Sequence, residues 1–316
     1  MIATASEILW IWPNEPRQLA MLEVTHTVHR YDLSKDRDAL LGEVGERIVG
    51  IVVNAATGLK AELIERFPNL KVVASNGVGY DSLDIAACTK RGIKVTNTPG
   101  VLTDDVADTA IALILSSLRK IVVGDHWVRS GDWIKKGMMP LTTSLRGKKL
   151  GIVGMGLIGQ AIAARAVPMG MDIAYHGPNE KSWVSHSFKP DPVTLAEWSD
   201  ILVLSCPGGK ATKNLINAKV LKALGETGTL INVARGSVVD EPALLDALKT
   251  HSIAGAGLDV YSNEPHGSAA FTDLDNVVLY PHLASGTRET RDAMAQLVYD
   301  NLKAFLDGNP LITPVN

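Results

Sequence analysis

The chain has 316 residues, 46% hydrophobic and 21% charged, a soluble globular composition on a length that exceeds one ordinary core and suggests two domains. Its formal net charge of −3 leaves no basic footprint for nucleic acid. No apolar run reaches the roughly eighteen residues needed to span a bilayer, and the opening "MIATASEILW" lacks the basic segment and long apolar stretch of a secretory signal. Cys88 and Cys206 lie far apart and fit no metal or redox spacing. They read as buried small hydrophobes in a reducing compartment, so a cytoplasmic location is expected.

Short β-rich runs alternate with helical patterns, the signature of parallel α/β architecture. The first strand candidates are 7–12, 48–53, 71–75 and 93–97, with a helix expected over 57–67. The loop "NGVGYD" after the third of these exposes backbone N–H groups at Gly77 and Gly79, a natural nest for a carboxylate. The stretch 100–121 reads as a helix capped by Thr103, with Asp104 and Asp105 in its first turn. Its apolar residues cover more than one face, so it is either deeply buried within the chain or packed on a second subunit. Residues 126–141 form a connection whose Met138, Met139 and Leu141 either line a substrate pocket or pack between subunits.

A second strand series covers 148–154, 172–176, 200–205, 228–233, 254–260 and 276–280, nearly all apolar, as expected for strands buried on both faces. The stretch 287–308 is a closing amphipathic helix, ended by Gly308 and Pro310.

The loop "GMGLIG" carries Gly154, Gly156 and Gly159 between a strand and a helix pattern, with Leu157 and Ile158 between the last two glycines. The first glycine permits the tight turn, the second admits a pyrophosphate, and the third lets helix and strand pack closely. A dinucleotide site follows. About twenty residues on, such folds place an acidic residue against the adenosine ribose. Here "HGPNEK" puts His176 there, with Asn179 and Lys181 as the remaining groups able to meet a 2′-phosphate. The missing carboxylate removes a barrier to NADPH, and NADH is the alternative.

A nicotinamide reaction also needs a cation for an anionic substrate and a group that moves a proton. Arg235 follows strand 228–233 and suits bidentate capture of a carboxylate. Asp259 ends the next strand, Glu264 follows in a turn, and His282 ends the last strand. A carboxylate beside an imidazole favours the protonated ring, which can then donate to a ketone oxygen. His26 and His29 form an H-x-x-H without a clustered carboxylate, and no metal site is expected. His126, His186, His251 and His266 read as surface or structural residues.

Taken together, "NGVGYDSLD", "TNTPGVLTDDVADTAIALIL", "GIVGMGLIGQ", "INVARGSVVDEPAL", "GAGLDVYSNEP" and "YPHLASGT" resemble the D-2-hydroxyacid dehydrogenases over nearly the whole chain. The likeness is greatest to glyoxylate/hydroxypyruvate and hydroxyphenylpyruvate reductases. The resemblance implies an α/β fold of two doubly wound parallel-sheet domains: a flavodoxin-like substrate domain (1–98 and 288–316) and a Rossmann cofactor domain (99–287), with the active site in a cleft between them. It implies reduction of a small 2-keto acid, or of an aromatic one, with a dinucleotide-sensing regulator as the non-enzymatic alternative. Within it Arg235 would bind the substrate, His282 would donate the proton, and Glu264 would orient His282. Asn76, Gly77, Val78 and Gly79 would meet the substrate, and Asp259 the nicotinamide carboxamide. Cys206, Pro207, Thr212, Val233, Ala234, His282 and Ser285 would line the cofactor. A homodimer through the helix 100–121 is also implied.

Overall fold

The computed structural model describes residues 6–12 and 16–316. The first five residues, part of the segment read above for a targeting signal, lie outside them. The chain divides into two compact units, one running to Leu102 and resuming at Gly286, the other spanning Thr103–Ser285.

The first unit contains β1 (Glu7–Trp10), α1 (Pro16–Glu23), β2 (Thr27–Arg30), α2 (Arg37–Val44), β3 (Ile48–Asn54), α3 (Ala61–Ile64), β4 (Val72–Asn76), α4 (Ile85–Lys90) and β5 (Lys94–Thr96). Its sheet has the order β2-β1-β3-β4-β5 with every pair parallel. Alternation along the strands sends Leu9, Ile51, Val53, Val73 and Val95 into one core, and Ile8, Trp10, Val52, Val72 and Ala74 into the other. Each such side chain contributes about 1.5–3 kcal/mol on full burial. The helix expected over 57–67 is short. Gly58 takes a left-handed φ of +69° and Asn54 accepts a bond from the Thr57 N–H, so a turn replaces its first part. β2 adds an edge strand, and His29 on it bonds Glu7 at 2.7 Å, so a carboxylate does accompany this histidine.

The second unit contains α5 (Thr103–Leu118), α6 (Ile121–Arg129), α7 (Asp132–Lys136), β6 (Lys149–Val153), α8 (Leu157–Ala166), β7 (Asp172–His176), β8 (Ser187–Phe188), α9 (Pro192–Trp198), β9 (Ile201–Leu204), α10 (Ala218–Leu224), β10 (Thr229–Asn232), α11 (Glu241–Lys249), β11 (Gly255–Leu258) and β12 (Val277–Leu279). Its parallel sheet runs β12-β11-β10-β9-β6-β7-β8, with the short β8 an edge strand absent from the sequence reading. The order reverses between β6 and β9, which makes that junction the switch point where open α/β sheets bind ligands. α12 (Arg288–Leu306) returns the chain to the first unit, capped by Thr287 on the Thr290 N–H, and buries Val298 and Leu302 against β4.

α5 begins at Thr103 itself, which is therefore the first helical residue and not its cap. Its apolar excess is satisfied inside its own unit: Ala107, Ala110 and Ile114 are fully buried, and the helix packs on α8, β10 and β11. Gly257 on β11 makes this approach possible, since a Cβ there would lie 3.1 Å from the Leu113 Cβ. The following helices behave differently. α6 and α7 bury no residue, and Ile121, Val122, Val128, Trp133, Ile134, Met138 and Leu141 are all exposed.

Candidate active site

In the second unit the expected residues gather along one edge of the sheet, because parallel strands all deliver their C-terminal residues to the same side. β6 delivers the glycine loop, β7 His176, β9 Cys206, β10 Val233 to Arg235, β11 Asp259 and β12 His282.

The three glycines have separable physical roles. Gly154 has φ +98°, its N–H bonds the His176 carbonyl at 2.8 Å, and a Cβ there would lie 2.6 Å from the Cys206 nitrogen across the switch point. A Cβ at Gly159 would lie 2.2 Å from the Gly154 carbonyl oxygen, so this position lets α8 seat on the loop. Gly156 is different: nothing lies within 4 Å of its Cβ position. That open space sits at the N-terminus of the ten-residue α8, where free N–H groups and the helix dipole favour phosphate. The loop therefore fits a dinucleotide pyrophosphate. Ser205, which the sequence reading did not single out, braces the loop through its Oγ bond to the Gly154 carbonyl at 2.7 Å.

Cys206 is buried, and desolvation pushes its thiol up to about 11, so it serves as a neutral wall of the loop. Val233 and Ala234 are buried beside it in chain order after β10, Pro207 is exposed, and Thr212 bonds the Pro207 carbonyl at 2.7 Å. Ser285 is half-buried. Beyond β7, the His176 ring bonds the Lys189 carbonyl through Nδ1 at 3.1 Å and stacks on Phe188. The buried Tyr175 hydroxyl accepts the Lys181 backbone N–H at 2.7 Å, pinning the turn whose residues Pro178, Asn179 and Glu180 are exposed. The Lys181 ammonium rests 5.0 Å from the centre of the exposed Trp183 ring, and Asn179 is exposed.

His282 and Glu264 meet directly. His282 Nδ1 and Glu264 Oε2 are 2.5 Å apart, and Glu264 Oε1 accepts the Tyr261 N–H at 2.9 Å. Burial pushes the Glu264 carboxyl up, but its bond to His282, that ring's charge, the Tyr261 N–H and the Arg235 charge together hold it below its ordinary 4.5. His282 takes a left-handed φ of +51°, uncommon for a non-glycine residue and costing about 1–3 kcal/mol where enforced. Asp259 enforces it. Its carbonyl accepts the His282 N–H, and its buried carboxylate accepts those of Leu283 at 2.8 Å and Ala284 at 3.2 Å. Burial raises the Asp259 carboxyl above its usual value. Both Asp259 oxygens are thus engaged on the loop that carries His282.

Arg235 is half-buried, and its Nη1 bonds the Ala234 carbonyl at 2.7 Å. Two supports of Arg235 escaped the sequence reading. Asn232, buried at the end of β10, accepts the Ala234 N–H and donates to the Arg235 carbonyl, each at 3.0 Å. Gly236 lets the turn press against the segment after β11, since a Cβ there would sit 1.9 Å from the Tyr261 carbonyl carbon. A buried Asn at a strand end and a glycine after an arginine are weak signals without the contacts they make.

In the first unit the loop after β4 is clamped on several sides. The Gly77 N–H bonds Thr98 Oγ1 at 3.0 Å, the Gly77 carbonyl accepts the Thr98 N–H at 3.0 Å, and Asn97 Nδ2 bonds the Val78 carbonyl at 2.9 Å. Gly77 has φ +144° and its own N–H is used, so its contribution is conformational. The N–H groups of Val78 and Gly79 carry no partner among the described residues. Asn76 faces inward: it is 4% exposed and donates to Gln18 Oε1 at 3.0 Å. Among the described residues no group of three or more His, Cys, Asp or Glu is placed to hold a metal ion, and no helix is long and apolar enough to cross a membrane.

The comparisons agree in breadth and depth. Glyoxylate/hydroxypyruvate reductase A of Arabidopsis thaliana is 46% identical over 294 residues, 93% of this chain and 94% of that protein. The 2-ketogluconate reductase of Gluconobacter oxydans is 43% identical over 314 residues, 99% of this chain and all of its own. The crystal structure of the NADPH-dependent glyoxylate/hydroxypyruvate reductase of Sinorhizobium meliloti, in complex with NADP and malonate, matches with a TM-score of 0.92 at 42% identity, over 99% of this chain and 97% of that one. The model of the D-isomer specific 2-hydroxyacid dehydrogenase NAD binding domain matches residues 111–284, which hold the glycine loop, Arg235, Glu264 and His282. On that family match and those relatives, the chain belongs to the D-isomer specific 2-hydroxyacid dehydrogenases.

Proposed function

We propose that this protein reduces a small 2-keto acid of the glyoxylate or hydroxypyruvate type to the D-2-hydroxy acid, using NADPH in preference to NADH. The observation that carries the reading is the 2.5 Å His282–Glu264 pair, on the same sheet edge as a glycine loop with open space for a pyrophosphate. A dinucleotide sensor needs the loop alone and has no use for a strained, carboxylate-paired histidine.

When bound, the cofactor supplies a hydride to the carbonyl carbon. The protonated His282 ring, held at Nδ1 by Glu264 Oε2, releases the proton on Nε2 to the carbonyl oxygen as that oxygen gains charge. Arg235 would pair with the substrate carboxylate and polarise the ketone, and in the first unit the Val78 and Gly79 N–H groups, without partners among the described residues, are donors suited to a carboxylate. Asp259 keeps the His282 backbone in place. Gly154 to Gly159 would receive the pyrophosphate, and Cys206, Pro207, Thr212, Val233, Ala234 and Ser285 would flank the nicotinamide half.

Preference for NADPH is supported by the absence of a carboxylate at positions 176 to 179 and by Lys181 on a turn pinned by Tyr175. His176 and Asn179 complete that end. The S. meliloti enzyme, described as NADPH-dependent, is consistent with this choice. The exposed apolar face of α6, α7 and the segment to Leu141 is the surface through which two copies would associate, in place of the buried α5. Two free, buried thiols fit a reducing, cytoplasmic setting.

Initial rates with NADPH and NADH against glyoxylate, hydroxypyruvate, 2-ketogluconate and hydroxyphenylpyruvate test the reading. Saturable NADPH oxidation with a small 2-keto acid is expected. A KM for NADH well below that for NADPH would reverse the cofactor preference.

A further inference from the structure

The first unit carries a local conflict that stability alone does not explain. α1 buries two residues, Leu22 and Gln18, one turn apart, against the apolar face formed by Trp10, Val52, Val72 and Ala74. Leu22 suits that surface and Gln18 does not: it is 0% exposed, and a primary amide there loses all contact with water. Its one bond among the described residues, Oε1 accepting from Asn76 Nδ2 at 3.0 Å, leaves Gln18 Nε2 and Asn76 Oδ1 both buried and without partners there. Trp10 Nε1 on the same face has no partner among the described residues either, whereas Ser75 Oγ, likewise unpartnered, lies with Val73 on the opposite face of the sheet. Buried unpaired polar atoms are few in native proteins. Here three of them, Gln18 Nε2, Asn76 Oδ1 and Trp10 Nε1, lie on the one face of the sheet that α1 covers.

The location gives the conflict a purpose. Asn76 is the last residue of β4, and the Val78 and Gly79 N–H groups follow two and three positions later. Thr98 and Asn97 hold the far side of that turn through Gly77 and Val78. Gln18 holds its entry, by fixing Asn76. Sequences keep such locally unfavourable choices chiefly where function needs them.

We propose that Gln18 is a positioning residue for the 2-keto acid: its amide orients Asn76 and thereby sets the direction in which the Val78 and Gly79 N–H groups meet the substrate carboxylate. The inference rests on the reductase reading given above.

The test is the pair Gln18→Met and Gln18→Glu in the full-length protein, followed by thermal unfolding, cofactor Kd from intrinsic fluorescence, and KM and kcat for hydroxypyruvate. Met matches the length of Gln without hydrogen bonding, and Glu retains the acceptor for Asn76. For Gln18→Met the Tm should fall by no more than a few degrees, since the unpaired Nε2 leaves the core while Asn76 Nδ2 loses its acceptor, and KM should rise about tenfold. kcat should change by less than about threefold, cofactor Kd should not move, and Gln18→Glu should recover most of the lost KM. An unchanged KM in Gln18→Met overturns the inference alone. So does a KM rise that comes with a large fall in Tm and is not recovered by Glu, which marks a merely structural residue. A wild-type protein that binds cofactor but turns over no 2-keto acid overturns the functional reading, and the inference with it.

Discussion

Arg235 and Glu264 show how side chains in the candidate site are committed before any ligand arrives. Arg235 sits on a turn braced by Asn232 and admitted by Gly236, so its position is bought with backbone contacts remote from the substrate. Arg235→Ala should raise KM and lower kcat together, by about 10²-fold or more in kcat/KM, because the guanidinium is asked to bind the carboxylate and polarise the ketone. A rise in KM alone would confine it to binding. Glu264 makes a pH prediction. Its folded pKa lies below its ordinary value of 4.5, so its contribution to stability is fully present above that value and is lost as pH falls through the lowered one. Glu264→Gln should therefore flatten the loss of Tm with acid below about pH 4.5, while lowering Tm at neutral pH, and a pH series of melting curves checks both. Arg235, Glu264 and His282 were legible because each follows an apolar run at a strand end. Asn232, Gly236 and Gln18 were not, because their roles depend on partners that only folding brings near: Gln18 meets Asn76 from 58 positions away.

Among the elements, the β6–α8 loop separates folding from binding most cleanly. Gly156 lies at φ −82° with open space at its Cβ position, whereas Gly159 presses on the Gly154 carbonyl. Gly156→Val should leave Tm within a few degrees and weaken NADPH binding by about tenfold or more, since its side chain would occupy the pyrophosphate's approach. Gly159→Ala should instead lower Tm, by overpacking of about 1–3 kcal/mol. Equal loss of Tm in both variants would show that the open space belongs to the fold and not to a ligand. The strand series was readable from apolar runs, with ends within one or two residues. The edge strand β8 was not on that series, being short and only partly buried. The helix over 57–67 shrank to Ala61–Ile64 because Gly58 and Asn54 supply a turn that outcompetes its first part.

At the scale of the whole molecule, composition could not separate a helix buried in its own unit from one buried against a partner. α5 is the first kind. The exposed apolar residues lie on α6, α7 and the segment beyond, with Ile134 93% and Leu141 94% exposed. In the reading proposed above, this patch is where two copies associate. Ile134→Asp combined with Leu141→Asp should shift the protein from dimer to monomer in light scattering coupled to size exclusion, and a wild-type monomer at micromolar concentration would remove this surface from the account. The central claim is narrower: His282, held by Glu264 and by the Asp259-braced backbone, delivers the proton in ketone reduction. Asparagine tolerates the left-handed φ of that position and has no proton to give. The direct measurement is kcat for hydroxypyruvate reduction by wild type and His282→Asn, side by side with NADPH affinity. The account predicts a kcat loss of about 10²–10⁴-fold with affinity within about twofold. A His282→Asn protein that turns over at a rate near that of the wild type would contradict it.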